Sequence, residues 1–403
     1  MHDLHVIGAP NRGGAYACPS GSLSPTASRL ATPPQFEVPP DPPQKFDLHV
    51  IGAGPAGIFA AITALRNGKN VLLSEEHASA GSPVHCSGLV SASGLRQLSD
   101  VADYRQAVLN TIRRANIHGK NKSFSLNFPF PKAYAFDRQK FDELAAQKYI
   151  DEGGKIEFNS KITQTDDIKS KNIIGADGPT STISRLFSFP KISSFCSCWQ
   201  GEFSYSSPDI SAVEVFLNPD WCPGFMGWII PLNKEKAKIG LGLSPGSDLH
   251  IAKQNFLKNL NIVSAPPLSE FSALIPLSPR PKTAHANNGY NICLAGDAAG
   301  QVKATSGGGI FFGAQCARLA AKYCTSPSLY EKEWRAKYGM DLTLHRIMRM
   351  GLDMLTPDGV DLWANSVKFF KIDNLLCEIG EMDEYSKMLS FKSLNKYMKL
   401  ISK

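Results

Sequence analysis

Gly52, Gly54 and Gly57, in the run Gly52-Ala53-Gly54-Pro55-Ala56-Gly57, have the spacing of a backbone that must approach a pyrophosphate. The first glycine permits a tight turn, the second removes a side chain where phosphate would lie, and the third lets a helix pack closely on a strand. Glu75 follows at about the 20-residue spacing expected of an acid that binds a ribose hydroxyl, with Glu76 as the neighbouring alternative. Two further acids stand in similar settings, Asp177 before Gly178 and Asp297 after Gly296, and Ser306-Gly307-Gly308-Gly309-Ile310 opens a second glycine-rich turn. Cys86, flanked by His85 and Ser87-Gly88, is a thiol that can assist proton delivery or pack against a ring.

The elements needed to position these groups can be read around them. Leu48-His49-Val50-Ile51 is a short buried strand, Ala56 to Arg66 a helix rich in Ala and Ile, and Asn70-Val71-Leu72-Leu73 a second strand. The glycine triplet therefore sits between strand and helix, with the phosphates expected at the helix N-terminus. Asn172-Ile173-Ile174-Gly175 and Asn291-Ile292-Cys293-Leu294 read as strands that deliver Asp177 and Asp297, where a carboxylate can accept from sugar hydroxyls. The glycine run at Gly307 to Gly309 opens the helix of Ala314, Ala317 and Ala320, giving the same site a second helix N-terminus.

The chain has 403 residues, 43% hydrophobic and 20% charged, which is globular composition and excludes a collagen-like, wholly disordered or disulfide-stapled protein. That length predicts two or three domains. Its net charge of +7 is spread along the chain and does not mark a nucleic-acid binder. The longest candidate apolar run, Gly307 to Ala314, is too short for a membrane span. Nine cysteines, with Cys196 and Cys198 as the one close pair, show no zinc-ligand spacing and read as reduced, cytosolic thiols. Cys196, Cys198, Cys293, Cys316 and Cys324 sit in apolar text and are expected in the core.

Residues 1–45 differ from the rest. Pro, Ser, Gly and Thr crowd Pro19 to Pro43, yet Asp3 to Ala9 repeats Asp47 to Ala53 residue for residue. The first copy lacks the glycine spacing and is not expected to bind a nucleotide; a disordered extension with a partial duplication is the reading, and a targeting peptide the rival.

Three later segments narrow the cofactor. The Asp177-Gly178 turn, the Gly296-Asp297-Ala298 strand end and the Gly307–Gly309 run, in that order, resemble the flavoprotein superfamily typified by para-hydroxybenzoate hydroxylase, and the resemblance covers about residues 46–345. Within it, Pro83-Val84-His85-Cys86-Ser87-Gly88, Tyr134-Ala135-Phe136-Asp137-Arg138 with Phe141-Asp142, Gly296 to Lys303 with Gly307 to Ile310, and Tyr330 to Arg335 resemble the geranylgeranyl reductase family. The Gly-Gly-Gly-Ile after Val302-Lys303 is closer to the archaeal digeranylgeranylglycerophospholipid reductases than to the chlorophyll-pathway enzymes.

The resemblance implies an α/β fold: an FAD-binding Rossmann-like domain of the glutathione reductase and para-hydroxybenzoate hydroxylase type, over residues 46–190 and 285–330. An antiparallel-sheet substrate domain is inserted at 191–284, and a helical region follows over 331–403. It implies FAD held by Gly52, Gly54, Ala56, Gly57, Glu75, Cys86, Ser87, Gly88, Arg138, Ile162, Asp177, Gly178, Asp297, Gly309 and Ile310, with Cys86 and Trp228 as catalytic candidates and no metal. It further implies saturation of isolated double bonds in geranylgeranyl chains of archaeal-type lipid, with electrons from an external donor: ferredoxin, a deazaflavin or NADPH. Two departures stand out. The family's aromatic-x-Trp-x-Phe-Pro sequence has Met226 and Ile230 at its flanking aromatic positions, with Trp228 and Pro231 kept, and Ala304 replaces a usual proline. Softer side chains still form an apolar pocket.

The rival readings are an FAD-dependent aromatic monooxygenase or halogenase, and a non-catalytic flavin electron-transfer protein. At the C-terminus Lys392, Lys396, Lys399 and Lys403 fall on one helical stripe opposite Leu394, Met398 and Ile401. A basic amphipathic helix of that kind can lie on an anionic lipid surface, which predicts a peripheral membrane protein; a solvated surface helix is the alternative.

Overall fold

The computed structural model describes residues 45–262 and 266–389. The N-terminal heptamer repeat and the lysine stripe from Lys392 to Lys403 lie outside the described residues.

Leu48–Ile51 and Val71–Ser74, with Pro55–Arg66 between them, form the expected βαβ unit, and both strands are buried throughout. They belong to a six-stranded sheet ordered Ala284–Asn287, Tyr290–Leu294, Asn172–Gly175, Leu48–Ile51, Val71–Ser74, Lys155–Glu157. Every pair in it is parallel except the first, a hairpin turned at Asn288-Gly289, where both residues adopt positive φ. Continuous apolar strands are what a parallel sheet covered on its faces requires. Pro55 begins the first helix, and its Ala-rich surface packs closely on Ile310–Lys322, where Ala314, Ala317, Ala320 and Ala321 are fully buried. Burying Ile58, Phe59 and Ile62 from the same helix contributes roughly 1.5–3 kcal/mol each.

The second sheet has seven strands, ordered Ser269–Pro276, Phe195–Ser204, Lys236–Leu243, Gly227–Pro231, Ala212–Phe216, Arg114–His118, Ser123–Asn127. Period-two alternation divides it cleanly. Trp199, Phe203, Ile239, Leu241 and Leu243 point to one face and bury Phe256 of the helix Leu249–Asn259. Cys196, Cys198, Trp228 and Ile230 point to the other, against Ala133, Ala135 and Ala304.

Two features of this sheet correct the sequence expectation. Arg114–His118 and Ser123–Asn127 come from the stretch assigned to the flavin domain, and Arg114–His118 pairs with Ala212–Phe216 in parallel, so the sheet is not wholly antiparallel. A pairing between segments about a hundred residues apart leaves no local trace in either strand. A small sheet of Leu89–Ser91, Ala133–Phe136 and Val108–Ile112 comes from chain that flanks Arg114–His118 and Ser123–Asn127 on both sides. The helices Pro327–Trp334, Met340–Asp353, Pro357–Phe369 and Ile372–Ile379 follow, then a short 3-10 turn at Tyr385–Leu389.

Candidate functional site

The glycine turn is held by sterics. Gly52 has φ +98°, and a Cβ on it would lie 2.5 Å from the Ala176 carbonyl oxygen. A Cβ on Gly57 would come within 1.7 Å of the Gly52 carbonyl oxygen, so the helix can start this close to the strand only with glycine there. Gly54 caps the helix without any side-chain hydrogen bond, leaving amides at its N-terminus for an anion. Ala56 is half-buried beside Gly296 and Gly313, tying this turn to the late one.

Glu75 is the inward acid and Glu76 the outward one. The Glu75 carboxylate accepts from the Ala53 N–H at 2.7 Å and the His77 N–H at 3.0 Å, whereas Glu76 pairs with Lys161 at 2.8 Å. That pairing, resisted by partial burial, holds Glu76 below the usual carboxylate range.

Asp177 accepts from the Ile183 N–H at 3.0 Å through one oxygen, while its other oxygen, Oδ1, is buried with no partner. Burial pushes its carboxyl above the ordinary value. Asp297 shifts the same way from burial, opposed by Arg138. A Cβ on Gly309 would lie 2.9 Å from Asp297 Oδ1, so the start of the Ile310–Lys322 helix is set against this acid, and Gly309 also caps without a side-chain bond. Ile310 is half-buried at its first turn.

Arg138 begins the helix Arg138–Asp151, capped by Asp137, and turns inward rather than to solvent. Its guanidinium gives three hydrogen bonds of 2.8–2.9 Å to the fully buried Asp142 one turn on. Burial works against that charge, yet Asp142 first and Cys86 second hold the guanidinium above its ordinary value. Arg138 also reaches Gly54, with Nη2 3.6 Å from where a Cβ would be.

These groups enclose a cavity of about 990 Å³ lined by Gly52, Gly54, Glu75, Arg138, Ile162, Asp177, Gly178 and Asp297. Ala56, Gly57, Cys86, Ser87, Gly88, Gly309, Ile310 and Trp228 are not part of that wall. Gly57 acts beneath the turn, and the Cys86 loop lies between Arg138 and the seven-stranded sheet. The cavity fits a dinucleotide: it offers the uncapped helix N-terminus at Gly54, an inward acid at the second strand and a buried carboxylate oxygen lacking a partner.

The loop of Pro83 to Gly88 carries Cys86 at half-burial, its sulfur accepting from the Gly88 N–H at 3.3 Å. Gly88 has φ +67°, and a Cβ there would strike the Phe136 carbonyl oxygen at 2.3 Å. The His85 ring rests on Phe271 with centroids 5.6 Å apart, which gives it a packing role in the loop. Trp228 donates its indole N–H to Gln200 Oε1 at 2.9 Å, so what it offers the interior is an apolar ring. Gly240 makes room for that ring, since a Cβ there would lie 2.6 Å from it, and Gly242 does the same for Phe225. Cys196, Cys198, Cys293, Cys316 and Cys324 are buried as expected, and burial pushes the Cys198 thiol up to about 11.

Several groups escaped the sequence reading. Lys238 is buried on the inward face of its strand, with Nζ donating to the Ser87 carbonyl oxygen at 3.0 Å. Burial lowers its pKa, with Cys86 the first group to oppose the shift. The available signal was a lysine inside the apolar run Lys238-Ile239-Gly240-Leu241. Lys303 pairs with Asp383 at 2.7 Å, both nearly inaccessible, and Asp383 also accepts from the Ser91 hydroxyl. Finally, Gln301 receives the Gly296 N–H at 2.9 Å and donates to the Tyr330 hydroxyl at 2.9 Å, and Tyr330 donates to the Leu294 carbonyl at 2.6 Å. Helix Pro327–Trp334 thereby fixes the turn that presents Asp297.

The profile of the FAD dependent oxidoreductase family matches residues 47–181. A protein of Methanocaldococcus jannaschii without an assigned activity is 29% identical, covering 87% of this chain and 95% of its own. Digeranylgeranylglycerophospholipid reductase 2 of Methanothermobacter thermautotrophicus is 27% identical, covering 80% and 92%. Among solved structures, a geranylgeranyl bacteriochlorophyll reductase-like protein of Thermoplasma acidophilum superposes with a TM-score of 0.72 at 20% identity, covering 88% of this chain and 95% of that one.

Proposed function

We propose that this chain, an FAD-dependent oxidoreductase related to the digeranylgeranylglycerophospholipid reductases, saturates isolated double bonds in geranylgeranyl chains of membrane lipid. The observation that carries the reading is the apolar wall of Trp228, Ile230 and Cys198 opposite the loop that holds Cys86. An isolated alkene has no carbonyl to polarise, so its reduction depends on position, dryness and a proton supply.

Bound FAD would supply the hydride. The residues suited to hold it are the Gly52–Gly57 turn and its helix N-terminus for the pyrophosphate, Glu75 for a ribose, and Asp177 and Asp297 for further hydroxyls. Arg138, anchored by Asp142, holds positive charge beside Gly54 without needing solvent. The inward sheet face excludes water: Gly240 and Gly242 let Trp228 and Phe225 sit flat, and Met226 and Ile230 leave a softer lining than the family's aromatics. Cys86 is the proton-delivering candidate, with Lys238 at Ser87 positioning its loop and keeping an ammonium near the thiol. Electrons come from an external donor.

Chemically reduced protein incubated anaerobically with geranylgeranyl lipid tests this reading. Flavin reoxidation with a gain of two hydrogens per reduced bond is the expected result. A flavin that stays reduced until air is admitted would favour the oxygen-using monooxygenase or halogenase chemistry instead.

A further inference from the structure

Of sixteen large hydrophobic side chains exposed among the described residues, eight fall between Met340 and Phe370. The helix Met340–Asp353 carries four of them because its polarity is reversed. Asp341, His345 and Arg349 point inward and are buried, while Met340, Ile347 and Met350 point outward and are 56–59% exposed. Met354, just past its end, is 85% exposed on the same side. At 100° per residue, positions 340, 347, 350 and 354 fall within one side of the helix, with half-buried Leu344 beside them.

Each inward polar residue has a partner, so the helix is not misplaced. Asp341 accepts from the Ser386 N–H at 2.7 Å, His345 bonds Thr305 at 2.7 Å, and Arg349 pairs with Asp353 at 2.6 Å. The next helix adds Leu362 and Phe369, 68% and 81% exposed, followed by Phe370. A monomer in water has no use for such a face.

We infer that the outward side of Met340–Met354, together with Phe369 and Phe370, docks the protein on the surface of an anionic lipid bilayer; the choice of a bilayer rests on the lipid-reductase reading. Charge favours this occupant over a second copy of the chain. Lys337, Arg346, Lys368 and Lys371 are exposed around the apolar residues, against two exposed acids there, Asp358 and the Arg349-paired Asp353. Described chain ends at Leu389, beside this helix, where the Tyr385 ring covers His345 at 3.9 Å. The fourteen residues after it carry four lysines and no acid. Symmetric pairing of two copies would set these cations against one another, whereas lipid phosphates neutralise them. Unbranched methionines also adapt to a fluid acyl boundary better than to a fixed partner surface.

The test is sedimentation of the FAD-loaded protein with vesicles of mixed phosphatidylglycerol and phosphatidylcholine, which contain no isoprenoid substrate. Binding is expected, weakened by salt and lost on phosphatidylcholine alone. Ile347→Glu with Met354→Glu should weaken it by roughly tenfold or more, with flavin content unchanged. Ile251→Glu, at an exposed hydrophobic of another helix, should leave it intact. Equal binding by the double variant, or none by the native protein, would overturn the inference. So would a lipid-free dimer that the double variant dissociates. Vesicle binding without turnover of prenyl lipid would sink the reductase reading alone, and turnover of detergent-dispersed lipid without vesicle binding would sink the docking face alone.

Discussion

The two sides of the interior handle their polar groups in opposite ways. On the cleft side, polar groups are held in place and left available: Asp177 keeps a buried oxygen without a partner, and two helices begin at glycines that provide no side-chain cap. On the side of the seven-stranded sheet they are consumed. Trp228 donates to Gln200, Cys198 to the Ala273 carbonyl and Lys238 to the Ser87 carbonyl, so what remains exposed inward is hydrocarbon and sulfur. An unsatisfied buried group costs on the order of 1–3 kcal/mol, which is tolerated where a ligand will satisfy it. One side thus suits a polar cofactor and the other suits the apolar substrate proposed above.

The sharpest way to break this contrast is at the cleft. Gly57→Ala drives a methyl to within 1.7 Å of the Gly52 carbonyl oxygen, far inside contact distance, and the turn must shift. FAD retention, read from the absorbance of the purified protein, should fall on the order of 100-fold. Next, Arg138→Met leaves Asp142 buried without its cation and should cost about 3–5 kcal/mol in denaturant unfolding. Adding Asp142→Leu should recover much of that stability without restoring flavin retention, separating fold from cofactor binding.

Acid probes the sheet beneath the cleft. His49 is fully buried with Nε2 2.8 Å from Ser74 Oγ, and burial lowers its pKa to about 4. Below an unfolded value of 6.5 the unfolded chain binds a proton that the folded chain refuses. The stability from neutral His49 is therefore complete above about pH 6.5 and lost as pH falls through about 4, a change of about 3 kcal/mol. His345, lowered to about 3 first by its own burial, acts in the same direction. Replacing His49 with Gln should flatten the melting temperature between those pH values. The smallest effect is expected from Trp228→Phe, which orphans the Gln200 amide at roughly 1–2 kcal/mol. It should leave FAD content unchanged and weaken turnover of the prenyl substrate; loss of flavin instead would erase the distinction between the two sides.

Local chemistry made the cleft legible. Gly52 and Gly54, Glu75, Asp177 and Asp297 each stand at the end of a strand whose apolar run announces it, and the structure brings them to one cavity. Arg138 was legible from its motif, but its anchoring by buried Asp142 emerged only with the helix in place. Lys238, Gln200 and the Lys303–Asp383 pair were not read, because their meaning lies in partners far along the chain: Ser87, Trp228 and residues beyond the last long helices. The same limit hid the parallel strand Arg114–His118, whose alternation is polar enough to pass for a surface loop.

The Lys303–Asp383 pair sets a timetable for the growing chain. An ammonium that emerges next to the second glycine turn has no internal counterion until residue 383 has also left the ribosome, and Ser91 waits equally long for its acceptor. The early βαβ unit is free to form during synthesis, whereas the junction between the glycine run and the small sheet is completed among the last steps. A chain interrupted shortly before Asp383 would carry all the residues proposed to hold the cofactor and still present quality-control proteases with an unfinished core.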